Sequence, residues 1–512
     1  MVDKEQFFFY SIVMKLYNPT KGEYNLVMAY PAVEEFALSS LGYLWLYKIA
    51  DEKEGINAVR ISTDNIAVNS KLVNSIAFSL SFDFDYLGVL EILDKLNIPF
   101  YSNARDEKFP LVFAGGPVIT TNPKPYEAFF DFMIIGDGED VFNKALDILK
   151  LKLSKNETLN MLSELEGVYI PSKTCQKASV SLNNVIYTPI ISEKSYFKNT
   201  FIIEVSRGCM NRCAFCTASY INLPFRHYEY EKIIEAIELG LKHTNKIALL
   251  GAQISAHPRF EDIMKYIKTK IDSGLNIELG ISSLRTDSVT SDMVQTLVAG
   301  GQKHSTIAIE AASERLRKFI NKNLKEEQIL NAVKISRENG LKGLKIYSMI
   351  GIPTENDNDI EEFIILAKKI KEQNKGFNIE FSFSTFVPKP HTPLQWSKRE
   401  DTKSLEKKQK YLEKELSKLG ISSKFSSPKW DYWQTVLSRS DEKITPALIE
   451  VYQNGGKIGA YKKAIKDLKI DIKKSIKGFD IDEELPWDCI SINPSKEHLL
   501  NEYRRLEKYA NK

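Results

Sequence analysis

Five cysteines in 512 residues are too few for a disulfide framework and point to a reducing compartment. Long apolar runs are missing too: none approaches the ~20 residues that span a bilayer. The opening MVDKEQFFFYSIVMKLY has a short apolar stretch preceded by Asp3 and Glu5, with no small-residue cleavage site after it. It reads as a strand or packed segment, not a signal peptide. A cytoplasmic protein with no membrane partner is expected. Charge of one sign is scarce: 70 Lys and Arg against 67 Asp and Glu leave a formal net charge of +3. Nucleic acid is therefore not indicated by composition. Histidine is rarer still, with six in all, and His227 is the first. The remaining composition, 43% hydrophobic and 27% charged, is that of a globular chain with room for two to four domains.

Three of the five cysteines are close together. Cys209, Cys213 and Cys216 follow the spacing C-x3-C-x2-C. A structural zinc closes its shell with four protein ligands. A ferredoxin-type cluster normally takes four cysteines. Three thiolates on a four-iron cluster would leave one iron open. Zinc with a remote fourth ligand is the alternative. Cys175 and Cys489 read as small buried hydrophobes, so one cluster is expected.

The cysteine motif, with Phe215 just before its last cysteine, resembles the signature of the radical S-adenosylmethionine (radical SAM) superfamily. The resemblance implies one 4Fe-4S cluster, with the open iron binding the amino and carboxylate groups of S-adenosylmethionine. Reductive cleavage then gives a 5′-deoxyadenosyl radical. A reducing donor such as a flavodoxin or ferredoxin is implied.

The sequence divides into four parts. Residues 1–165 carry apolar runs at Tyr24–Tyr30, Ala58–Ser62, Ser75–Ser81, Leu111–Ala114 and Phe130–Ile135, with helical patterns between them. This predicts a doubly wound parallel α/β sheet buried on both faces. Gly115-Gly116-Pro117 and Gly136-Asp137-Gly138-Glu139 follow two of those strands, where such sheets place ligand loops; tight turns are the plainer reading. With Ser79–Asp85, these loops resemble the cobalamin-binding-like domain that precedes many radical SAM cores. The D-x-H-x-x-G histidine of that family is missing, so the fold is expected without cobalamin, though cobalamin stays possible. Residues 166–198 read as a bridging segment with a hairpin over Val180–Tyr187. Residues 199–396 alternate strands and helices six times, which suits a partial β/α barrel, the radical SAM core. Residues 397–512 read as a helical C-terminal region, with Leu405, Leu412, Leu416 and Leu419 on one helical face.

Barrel sites collect at the carboxyl ends of strands. Gly251, Ala252 and Gln253 follow the second strand, where the superfamily has a Gly-Gly-Glu-like turn for the cofactor's amino group. Ser255 and His257 follow in the same loop. Ser283 and Arg285 follow the third strand; Arg285 suits a carboxylate, or else pairs with Asp287. Glu310 ends the fourth strand, where relatives contact the ribose. Ile350 and Gly351 end the fifth, in a segment resembling the adenine site. Ser382 and Ser384 alternate toward the lumen of the sixth. Lys389 and His391 lie in the following FVPKPHTP segment, as substrate contacts or as parts of a rigid connector. The whole order resembles the uncharacterised radical SAM proteins with an N-terminal cobalamin-binding-like domain. The reading is a radical SAM enzyme acting on an unknown substrate, with the catalytic residue and oligomeric state unassigned. A cobalamin-dependent radical methyltransferase is the alternative; a zinc-binding interaction or RNA-associated module is the alternative of another class.

Overall fold

The computed structural model describes residues 23–510. The opening apolar stretch lies outside the described residues. The first sheet contains β1 (Tyr24–Tyr30), β2 (Ile56–Ser62), β3 (Ser75–Ser79), β4 (Leu111–Gly115), β5 (Phe132–Ile134) and β6 (Val168–Tyr169), in the order β2-β1-β3-β4-β5-β6. Only β6 runs antiparallel to its neighbour. Continuous apolar runs form these strands because both faces are covered. Along β1, Val27 and Ala29 enter one core while Leu26, Met28 and Tyr30 enter the other. The helical pattern after β1 breaks into Glu34–Ala37 and Leu41–Asp51. The bridging segment contains β7 (Cys175–Gln176). Its expected hairpin does not form; the segment lies along the barrel instead. Thr188 N–H donates to Ile202 O at 2.9 Å and Glu204 N–H to Ile186 O at 2.9 Å.

The barrel begins with β8 (Thr200–Glu204), β9 (Ser206–Arg207) and β10 (Arg226–His227), followed by β11 (Lys246–Leu250), β12 (Glu278–Ile281), β13 (Leu284–Arg285), β14 (His304–Glu310), β15 (Gly343–Ile350), β16 (Asn378–Thr385) and β17 (Ser422–Phe425). Apart from the antiparallel pair β9-β10, its strands form two parallel sheets, β12-β11-β8 and β13-β14-β15-β16-β17. Ser282 and Ser283 interrupt the wall between β12 and β13. β17 comes from the region read as helical and adds a further strand beside β16, with Lys424 opposite Ser382.

The helix Thr402–Lys418 leads into β17. Asp401 caps it by accepting from Lys403 N–H and Ser404 N–H. Leu405, Leu412 and Leu416 are its buried stripe, and Leu419 is half-buried at its end. Later helices cover the first sheet. Trp433, Val436, Leu448 and Tyr461 share a core with Tyr86, Val89 and Leu93, and Tyr86 OH bonds Tyr461 OH at 2.7 Å. Full burial of each such aliphatic side chain is worth about 1.5–3 kcal/mol, so the two ends of the chain are firmly joined. β18 (Ile490–Ser491) pairs in parallel with β7. Among the described residues no helix is long and apolar enough to cross a membrane.

Candidate active site

The cysteine loop leaves the barrel after β9 and returns at β10. Gly208 opens it with φ +83°, and a Cβ there would lie 2.5 Å from Asn222 O. Only glycine fits this turn and this close approach. Within the loop, Ser219 Oγ donates to Asn211 O at 2.8 Å, while Tyr220 OH and Asn321 Nδ2 donate to Arg212 O at 3.1 and 2.7 Å. Ala214 N–H donates to Ile320 O at 2.9 Å and its carbonyl accepts from Leu394 N–H at 3.2 Å. Ala214 and Phe215 also pack with Leu316, Met349, Phe386 and Leu506. The loop is thus fixed by the barrel, by the FVPKPHTP segment and by the last helix.

Cys209, Cys213 and Cys216 line one cavity of about 670 Å³ at the carboxyl ends of the strands. Phe215, Ala252, Gln253, Ser283, Arg285 and Glu310 line it as well. Gln253 Oε1 accepts from Cys209 Sγ at 3.4 Å and from Asn211 Nδ2. Gly251 is not on the wall. Its carbonyl accepts from Ser282 Oγ at 3.3 Å, and a Cβ would meet Ser206 Oγ at 2.7 Å, so its small size serves backbone packing. Ile350 and Gly351 are also off the wall. Ile350 is fully buried, and Gly351 turns away at φ +79° to donate its N–H to Glu355 Oε1 at 2.9 Å. From β15 the cavity receives Tyr347 and Ser348 instead. Ser348 Oγ is buried without a partner.

Glu310 has φ +65°, and the ladder between β14 and β15 shifts register between Ala308 and Glu310. A bulge of this kind re-aims a side chain. The Glu310 carboxylate meets Lys322 Nζ at 3.0 Å, with Lys322 only 9% exposed. Burial opposes the Lys322 charge, but Glu310 and the Cys213 sulfur outweigh it and raise the ammonium above its usual range. Lys322 was not found by sequence reasoning. Its only signal was its place in Asn321-Lys322-Asn323, where both asparagines take positive φ. Arg285 both faces the cavity and pairs with Asp287 at 2.6 Å. Burial pushes the Cys213 thiol up to about 12, against the pull of Lys322. Burial also raises Cys216, against a bond from Ser219.

Ser382, Ser384, Lys424 and Ser426 form the far wall, away from the cysteines in sequence. Ser255 reaches the cavity, but His257 is buried with Nε2 2.8 Å from Tyr228 O. Lys389 and His391 are connectors. Lys389 pairs with Asp83 of the first domain at 2.7 Å, and burial lowers the His391 imidazole to about 4.

The three thiols line one cavity of about 670 Å³ with no fourth cysteine beside them among the described residues, a donor set that suits an iron–sulfur group with one open iron.

Two family models match the chain: "Radical SAM proteins, N-terminal" over residues 49–171 and "Radical SAM superfamily" over residues 203–367. An uncharacterized protein of Methanocaldococcus jannaschii is 32% identical over 74% of this chain and 80% of its own. An uncharacterized methyltransferase of Pyrococcus horikoshii is 25% identical over 69% of this chain and 77% of its own. The solved structure of the cobalamin-dependent S-adenosylmethionine radical enzyme OxsB, with aqua-cobalamin and S-adenosylmethionine bound, aligns at a TM-score of 0.57 and 14% identity. That alignment covers 96% of this chain and 80% of OxsB, a likeness of fold.

Proposed function

We propose, from the premise that this chain belongs to the radical SAM superfamily, that Cys209, Cys213 and Cys216 hold its 4Fe-4S cluster and that Gln253, Arg285, Glu310 and Lys322 hold S-adenosylmethionine. One observation carries this reading: all seven side chains line the same cavity, at the end of the barrel where its strands terminate. Bound there, the cluster and S-adenosylmethionine supply a 5′-deoxyadenosyl radical that removes a hydrogen atom from substrate.

The residues divide that work by charge. The three thiols give up their protons when they take iron; Lys322, protonated beside Cys213, favours the resulting negative charge. Lys322 and Arg285 place two cations where a carboxylate can bind. Glu310 and the Gln253 amide oxygen are acceptors for ammonium and hydroxyl donors. Phe215 and its apolar neighbours keep water from that side of the cavity. Tyr347, Ser382, Ser384 and Ser426 give the substrate side hydroxyls. A donor such as a flavodoxin or ferredoxin delivers the electron, and the five free cysteines suit a reducing cytoplasm.

Methyl transfer is the second reading, carried by the name of the Pyrococcus relative. A titration tests the main assignment. S-adenosylmethionine added to the reduced, reconstituted protein should change the EPR signal of the cluster, with at least tenfold weaker binding in Arg285→Ala and Lys322→Met. A wild-type signal that never responds would overturn the assignment.

A further inference from the structure

The base of the cysteine loop is a neck of two short strands. β9 and β10 pair antiparallel, with Arg207 opposite Arg226. Like charges in register repel, and Asp137 lies between them. Its Oδ1 is 3.1 Å from Arg207 Nη1 and its Oδ2 is 2.6 Å from Arg226 Nη1. Oδ2 also accepts from Val180 N–H at 3.1 Å. Arg207 Nη2 reaches Glu139 Oε1 at 2.7 Å and Glu204 Oε2 at 2.8 Å. The network is largely dry: Arg207, Arg226 and Asp137 are 12%, 13% and 8% exposed. Burial pushes the Asp137 carboxyl up, but the two guanidiniums more than offset this and hold it below the usual carboxylate range.

Asp137 lies in the loop after β5 and Glu139 opens the helix Glu139–Leu149 that follows it, at the ligand end of the first sheet. The loops after β3, β4 and β5 are engaged by the chain itself. A Cβ on Gly136 would lie 2.2 Å from Ala178 O, and one on Gly116 would lie 2.3 Å from Leu80 O. After β3, Asp83 Oδ2 accepts from Lys389 Nζ at 2.7 Å and Gln434 Nε2 at 3.0 Å. No histidine precedes His227, so these loops offer cobalt no imidazole ligand.

We propose that segment 136–139 is a clamp on the neck, with Asp137 and Glu139 as positioning residues that hold Arg207, and through it Cys209, in register for the cluster. The first domain thus serves the second by gripping it. The last step rests on the cluster reading; the grip itself does not.

Asp137→Asn tests it, with the exposed Asp140→Asn as control. In the full chain without iron, amides of residues 208–225 should exchange with deuterium at least tenfold faster in Asp137→Asn. Those of β14 to β16 should not change. After reconstitution, the EPR line shape of the reduced cluster with S-adenosylmethionine should differ from wild type, and 5′-deoxyadenosine should fall at least fivefold. Exchange and EPR spectra matching those of Asp140→Asn would overturn the clamp. If Asp137→Asn does not fold, Arg226→Gln carries the same comparison. A wild type that holds no cluster sinks the cluster reading, while the exchange rates still decide the clamp.

Discussion

Gly208→Ala should damage the cysteine loop far more than a glycine substitution usually does. Two separate costs meet there. The backbone has φ +83°, and a residue with a Cβ in the left-handed region costs about 1–2 kcal/mol. The new methyl group would also lie 2.5 Å from Asn222 O, 3.1 Å from Pro224 O and 3.2 Å from Phe225 Cα. Ordinary contact begins near 3.4 Å, so the far side of the neck must yield by roughly an ångström, at about 1–3 kcal/mol for overpacking. The total is about 2–5 kcal/mol, concentrated at the base of the loop. Gly274→Ala isolates the first cost, since Gly274 has φ +98° and nothing within 4 Å of its Cβ. Deuterium exchange over residues 208–225 and iron content after reconstitution are the assays. Gly208→Ala should open the loop and lose most of its iron, while Gly274→Ala should load like wild type. Equal iron content in the two variants would refute the reasoning.

Lys322→Met leaves Glu310 without its cation. Removing one partner of a buried pair costs about 3–5 kcal/mol; the cavity beside Glu310 brings this to the low end. Adding Glu310→Gln should recover part of it in urea unfolding, and strictly additive losses would show that the pair is not coupled. Burial pushes the Asp85 carboxyl up to about 6, so the fold favours its protonated form. That contribution is complete below about pH 4 and is lost as pH rises through 6. Asp85→Asn keeps an oxygen for the Ser81 and Phe82 N–H groups, at 2.6 and 2.8 Å in the wild type. It should exceed wild type by about 3 kcal/mol at pH 8 and nearly match it at pH 4 in thermal unfolding; an equal gain at both pH values would refute this. Cys175→Ser and Cys489→Ser should bind iron like wild type by colorimetric assay, because neither lines the cavity.

The strands of the first sheet were legible because burial on two faces writes them as short continuous apolar runs. β17 was not: Ser-Ser-Lys-Phe at a sheet edge is polar and half-exposed, and only its pairing with β16 makes it a strand. The stretch Val180–Tyr187 makes no return strand of its own; Tyr187 instead bridges antiparallel to Ile203 of β8. In the site, the cysteine motif was readable because its three cysteines are local in sequence. Lys322 reaches Glu310 only through the turn after the helix Glu314–Phe319, a meeting that no spacing encodes. Ile350 and Gly351 were placed by position along β15. From that strand Tyr347 and Ser348 line the cavity, one turn of the pleat earlier than expected. Asp137 was read as part of a turn; its two arginines lie 70 and 89 residues further along the chain.

The most direct test is mass-spectrometric detection of 5′-deoxyadenosine. The protein is reconstituted with iron and sulfide without air, then given S-adenosylmethionine and a strong reductant. The account predicts a brown protein with about four irons per chain, product from the wild type and none from Cys216→Ala. A colourless protein carrying stoichiometric zinc, with no product from either chain, would contradict it.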